Sequence, residues 1–95
     1  MIYKLYFLPS AKREWDKLDG SIKRQFKSKL VERLKEPRIP SAALHNMPHC
    51  YKIKLRGAGY RLVYRVDGER ITVTVLAIGK RERLAIYRAA AKRAT

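Results

Sequence analysis

Hydrophobic positions change period partway along the chain. Ala11, Trp15, Leu18 and then Ile22, Phe26, Leu30 and Leu34 recur at intervals of three and four, the repeat of helices with one buried face. Asp19-Gly20-Ser21 interrupts the run, so the pattern predicts a helical hairpin, about residues 10–18 and 21–35, with Ser10 as N-cap behind Pro9. Lys12, Arg13, Lys17, Lys23, Lys27 and Arg33 take the outer faces. Residues 2–8, apolar and aromatic up to Pro9, read as a strand. Pro37, Pro40 and Pro48 then punctuate a connection from Glu36 to His49, long enough to suggest a functional loop.

From Cys50 the period is two. Tyr51, Ile53 and Leu55 point one way and Lys52, Lys54 and Arg56 the other; Tyr60, Leu62, Tyr64 and Val66 alternate with Arg61, Val63 and Arg65. A third run, Ile71, Val73, Val75 and Ala77, alternates with Thr72, Thr74, Leu76 and Ile78. Apolar sets must share a face if the sheet is to cover a core. That condition requires an even-length turn around Gly57-Ala58-Gly59, such as four residues, and gathers Lys52, Lys54, Arg61 and Arg65 on the opposite face. Asp67-Gly68 predicts a two-residue type I′ hairpin, which would set Arg61 opposite Thr74. Residues 82–94 read as a last helix, with Leu84, Tyr87 and Ala91 as one candidate buried face. The order β-α-α-β-β-β-α describes an α+β domain, an antiparallel sheet packed on helices, and the length of 95 residues accommodates a single domain over 1–95.

Charge adds a partner to this outline. Lys and Arg number 23 against 8 Asp and Glu, a formal +15 spread over both halves of the chain, while 46% of residues are hydrophobic. The chain is therefore a folded domain with a polyanion-binding surface, not a disordered polycation. Like charges gathered on one sheet face cost stability unless a ligand offsets them, which points to a phosphate-bearing partner. One cysteine, Cys50, rules out an internal disulfide framework, and with two scattered histidines it offers no zinc-ligand spacing. No stretch has the length of a membrane span; the expected location is the cytoplasm, with no membrane partner, metal or cofactor.

Known catalytic motifs are mostly missing: there is no phosphate-binding glycine loop, nucleophile elbow or HExxH. The carboxylates do not cluster with the basic face, which argues against a two-metal nuclease. His45 and His49 stand four apart in a proline-bounded loop, and read as ordinary loop residues before they read as a catalytic pair. Tyr51, Tyr60 and Tyr64 follow the apolar parity and belong to the core; Tyr87 falls between core and site.

Three segments, Cys50-Tyr51-Lys52-Ile53-Lys54-Leu55-Arg56, Gly59-Tyr60-Arg61-Leu62-Val63-Tyr64 and Gly79-Lys80-Arg81-Glu82-Arg83, resemble the RelE toxins, the ribosome-dependent mRNA interferases of toxin–antitoxin pairs. Arg13-Glu14-Trp15-Asp16-Lys17-Leu18 and Pro37-Arg38-Ile39 extend the resemblance over nearly the whole chain. The resemblance implies the compact microbial RNase fold of that family and cleavage of mRNA in the ribosomal A site. There the 2′-hydroxyl of a nucleotide attacks its own 3′ phosphate, leaving a 2′,3′-cyclic phosphate. It carries catalytic roles to Lys52, Lys54, Arg61, Arg81 and Tyr87: Lys54, with or without Lys52, as general base, Arg61 as a phosphate clamp, Arg81 at the leaving oxygen, Tyr87 as a positioning group. Arg65, Lys80, Arg83 and His45 are expected to contact RNA. The implied partners are a cognate RelB-like antitoxin, the ribosome with its RNA, and operator DNA through the antitoxin complex alone.

The chemistry is physically reasonable. Cations in a fixed fork suit a phosphorane-like transition state. An ordinary lysine is neutral in only about 1 of 2,500 molecules at pH 7, and neighbouring cations raise that fraction by lowering its pKa. Leu44-His45-Asn46-Met47-Pro48 departs from the family's Leu-Arg-Gly-Met-Pro, replacing a cation by His45 and a glycine by Asn46. The alternative from another class is a non-catalytic basic module that binds the ribosome, or operator DNA with its antitoxin. A topoisomerase poison on the same fold fits poorly with the retained Lys52, Lys54 and Arg81.

Overall fold

A computed structural model describes residues 2–80 and 85–94. Strand β1 (Lys4–Phe7) leads into helices α1 (Pro9–Asp16) and α2 (Gly20–Lys35). A 3-10 turn (Pro40–Ala42) precedes strands β2 (Cys50–Leu55), β3 (Tyr60–Asp67) and β4 (Thr72–Lys80), and helix α3 (Ala85–Ala94) follows. The sheet order is β1-β4-β3-β2. The three later strands form the expected antiparallel meander, and β1 joins its edge parallel to β4.

The helix starts follow from their caps. Leu8, not Ser10, is the residue before α1, because Pro9 sits at the first helical position, where its missing N–H would have had no partner. Asp19 caps α2 by accepting from Ile22 N at 3.0 Å, worth about 1 kcal/mol. Ala11, Trp15, Ile22, Phe26 and Leu30 pack against Ile53, Leu62, Tyr64, Val73 and Val75, the larger core.

The four-residue turn between β2 and β3 is present, with Gly59 at φ 71, and it aligns Tyr51 with Tyr64, Ile53 with Leu62 and Leu55 with Tyr60. The β3–β4 turn differs from its expected two-residue form. Asp67 Oδ1 accepts from Glu69 N and Arg70 N, and Ile71 takes φ 55, so the loop spans Gly68 to Ile71. An aspartate that captures the next backbone N–H groups stabilises this wider turn. A bulge between Val63 and Tyr64 then shifts the β4 register. Arg61 therefore lies opposite Gly79, and Thr74 opposite Arg65. The bulge also moves Ala77 off the Val73–Val75 face: Leu76 and Ala77 join a second, smaller core.

That second core corrects the expectation of one apolar and one cationic face. Helix α3 covers part of the cationic side, burying Ile86 and Ala90 against Val63, Leu76, Ala77, Cys50 and Met47. Its buried face is thus Ile86–Ala90 rather than Tyr87–Ala91; Leu84 lies outside the described residues. Three adjacent alanines leave the helical phase ambiguous in sequence, and the flat surface over Gly79 decides it: a Cβ there would meet Ile86 Cδ1 at 3.4 Å.

Candidate active site

Strand pairing builds the site in rows. Lys54 on β2 pairs with Arg61 on β3, which pairs with Gly79 on β4; the next row is Lys52, Val63, Ala77. Helix α3 packs over β4 and β3, so Lys52 and Lys54 stand beside it on the open edge strand. Side chains directly opposite are about 5 Å apart at Cβ, which puts the Lys54 ammonium within range of Arg61. Lys52, two residues along the same face, and then Arg61 are the main reasons why the Lys54 ammonium is held below the usual lysine value; partial desolvation and Arg56 act in the same direction.

Gly79 lets Ile86 of α3 pack close above its row, and the Arg61 guanidinium reaches the same helix. Arg61 Nη1 donates to the Tyr87 hydroxyl at 3.0 Å, with its guanidinium carbon 5.9 Å from the ring centroid. Lys54, Leu55, Arg56, Gly59, Tyr60 and Arg61 line a cleft of about 340 Å³. Arg56, which the alternation set on the side of Lys52 and Lys54 without counting it among the site residues, is a further member; that shared parity is the signal that was available.

The edge of β2 is fixed from α2. Arg33 Nη1 donates to Lys52 O at 3.1 Å and to the Tyr64 hydroxyl at 2.9 Å, and that hydroxyl donates to Pro37 O at 2.7 Å. Burial pushes the Tyr64 phenol above its ordinary value, with Arg33 opposing. Tyr51 and Tyr64 stack at 5.7 Å inside the larger core, as their parity required.

The residues expected to touch RNA are dispersed. Exposed His45 shares a second cleft, floored by Leu44 and Met47, with Asn46, Tyr87, Arg88 and Ala91. Arg65 stands four residues from Arg61, roughly 13 Å along the strand, and its Nη1 donates to Ala94 O at 3.0 Å. Lys80 pairs with Tyr60 and lies over that ring at 6.0 Å, so its parity is opposite to that of Arg61. His49, at φ 65, faces Arg38 Nη1 through Nδ1 at 3.1 Å, away from the Lys54 row. Arg81 and Arg83 lie outside the described residues. Among the described residues no three His, Cys, Asp or Glu side chains gather as metal ligands, and no helix is long and apolar enough to cross a membrane.

Known proteins share this fold. A family described as the ParE toxin of type II toxin–antitoxin systems matches residues 5–85. The mRNA interferase toxin RelE of Escherichia coli is 52% identical over 93 residues, spanning 98% of both chains, and the mRNA interferase RelE of Shigella flexneri matches equally. The free R81A/R83A mutant of E. coli RelE superposes over the full length of both chains with a TM-score of 0.92 at 48% identity. The toxin in the intact E. coli RelBE toxin–antitoxin complex superposes with a TM-score of 0.83 at 52% identity, covering 85% of this chain and 99% of that one. With its fold and nearly its whole length in common with these proteins, the chain belongs to the RelE mRNA interferase toxins of type II toxin–antitoxin systems.

Proposed function

We propose that this toxin enters the ribosomal A site and cuts the mRNA held there by metal-independent transesterification. The observation that carries the reading is the Lys54–Arg61 pair, with Lys52 beside Lys54 and Tyr87 bonded to Arg61. Lys54, its ammonium destabilised by Lys52 and Arg61, takes the proton of the attacking 2′-hydroxyl. The O2′–P bond forms as the P–O5′ bond breaks, leaving a 2′,3′-cyclic phosphate and a 5′-hydroxyl. Arg61 holds the non-bridging oxygens, whose charge grows in the transition state. Arg81 stabilises the leaving oxygen by charge, since a guanidinium is a poor proton donor, and a solvent water supplies the proton that makes it the 5′-hydroxyl. Tyr87 fixes the Arg61 fork and orients the nucleotide; His45, in the cleft beside it, contacts the neighbouring RNA.

The RelB antitoxin of the solved E. coli complex has its counterpart in a cognate antitoxin that neutralises this chain in the cytoplasm; operator DNA is met through that complex. Mapping mRNA 5′ ends on translating ribosomes tests the reading. Wild type is expected to create new ends within the A-site codon, and Lys54→Ala and Arg81→Ala to abolish them. Translational arrest without new ends would replace the nuclease by a ribosome-binding inhibitor.

A further inference from the structure

Helix α3 carries Tyr87 to Arg61, and its apolar hold is Ile86 and Ala90, buried, with Tyr87, Ala89 and Ala94 partly buried beside them. Polar contacts at its far end supply the rest. Arg93 meets Glu14 of α1 through both terminal guanidinium nitrogens, Nη1 to Oε1 at 2.8 Å and Nη2 to Oε2 at 3.1 Å. The same Nη1 donates to Leu76 O at 2.9 Å, while Glu14 Oε1 accepts from Ile78 N at 3.0 Å. Strand β1 ends its pairing at Phe7–Val75, so these two backbone groups lie on the stretch of β4 that β1 no longer covers. One ion pair thus closes an open sheet edge and ties α1, β4 and α3 together. Arg65 holds the adjacent Ala94 carbonyl from β3.

We propose that Glu14 and Arg93 are positioning residues for RNA cleavage, setting α3 so that Tyr87 meets Arg61. The inference rests on the catalytic reading of Arg61 and Tyr87 given above. Arg93 lies six residues beyond Tyr87, about 9 Å along the helix axis. A pivot of about 10° at the Arg93 end therefore displaces Tyr87 by roughly 1.5 Å, enough to open its 3.0 Å bond to Arg61 beyond hydrogen-bonding range. Glu14, on α1, touches neither Arg61 nor Tyr87 in any hydrogen bond and reaches α3 through Arg93 and β4 through Ile78 N.

Single-turnover cleavage on programmed ribosomes tests this with Glu14→Gln, which keeps an acceptor for Ile78 N and adds one unit of net positive charge. A residue that mattered only through attraction to RNA would leave the rate unchanged or raise it on this substitution. The positioning role predicts about a tenfold lower maximal rate, an unchanged half-saturating toxin concentration, and less than a twofold further loss when Glu14→Gln is placed in a Tyr87→Ala background. Arg93→Lys, which keeps charge but not the paired contact, is expected to fall between wild type and Arg93→Ala. Should Arg93→Ala fail to fold by circular dichroism, the Glu14→Gln cycle decides alone. Wild-type rates in Glu14→Gln, or a full tenfold loss added on top of Tyr87→Ala, would overturn the positioning role while cleavage by the wild type upholds the nuclease. A wild type that leaves mRNA intact would overturn both.

Discussion

Replacing Tyr64 by Phe removes one oxygen from the centre of the fold and leaves the ring in place. The ring is fully buried, stacks on Tyr51 and lies beneath the Arg33 guanidinium at 5.8 Å, and Phe preserves these contacts. The losses are the 2.7 Å bond to Pro37 O and the 2.9 Å bond from Arg33. A neutral hydrogen bond contributes about 1 kcal/mol and one from a charged donor about 1.5–3 kcal/mol. The full sum is not lost, because Pro37 O still receives Ile39 N at 3.2 Å and Arg33 keeps Lys52 O. The expected cost is about 2 kcal/mol, which in a domain of this size lowers Tm by roughly 8–16 °C. Urea and thermal unfolding measure it, with an unchanged m-value. A cost below about 0.5 kcal/mol would refute the idea that this hydroxyl links α2, the Pro37 turn and β3. The pH dependence has a definite sign. Burial raises the folded phenol above its ordinary value, so its stabilising contribution is complete below about pH 10 and is lost as pH rises through the folded value. The stability gap between wild type and variant should be constant at neutral pH and narrow above pH 10.

Lys52→Met removes the largest cause of the depressed Lys54 pKa, so the rise of log rate with pH should shift to higher pH and cleavage at pH 7 should fall; a shift to lower pH would contradict Lys54 as the base. Lys52→Ala with Lys54→Ala should abolish cleavage while leaving the fold intact and no less stable by urea unfolding, because it relieves repulsion on one sheet face; a destabilised double mutant would contradict the crowded row. Arg61→Lys keeps the charge but loses the fork that reaches Tyr87, and should lower the maximal rate by at least about tenfold with little change in ribosome affinity.

Much of this site is legible in the sequence. Strand parity and an even turn sufficed to put Lys52, Lys54 and Arg61 on one face and Tyr64 in the core, because side-chain direction in a strand has a fixed period of two. The same rule failed beyond Leu76, where a bulge resets the parity and no residue in β4 announces it. The parallel partner of β1 was hidden because a short apolar strand carries no mark of its direction. Glu14 and Arg93, 79 residues apart, meet only once the fold is formed. His45 and Tyr87 likewise share a cleft that no local pattern specifies.

The central claim is that a row of cations on a sheet directs the 2′-hydroxyl of ribosome-held mRNA at its own phosphate. A message carrying a single 2′-deoxy nucleotide on the 5′ side of the scissile bond in the A-site codon tests it most directly. Wild-type toxin is expected to leave this message uncut on the ribosome, while cutting the all-ribose control to a 2′,3′-cyclic phosphate end. Cleavage of the deoxy message at the same bond would contradict it.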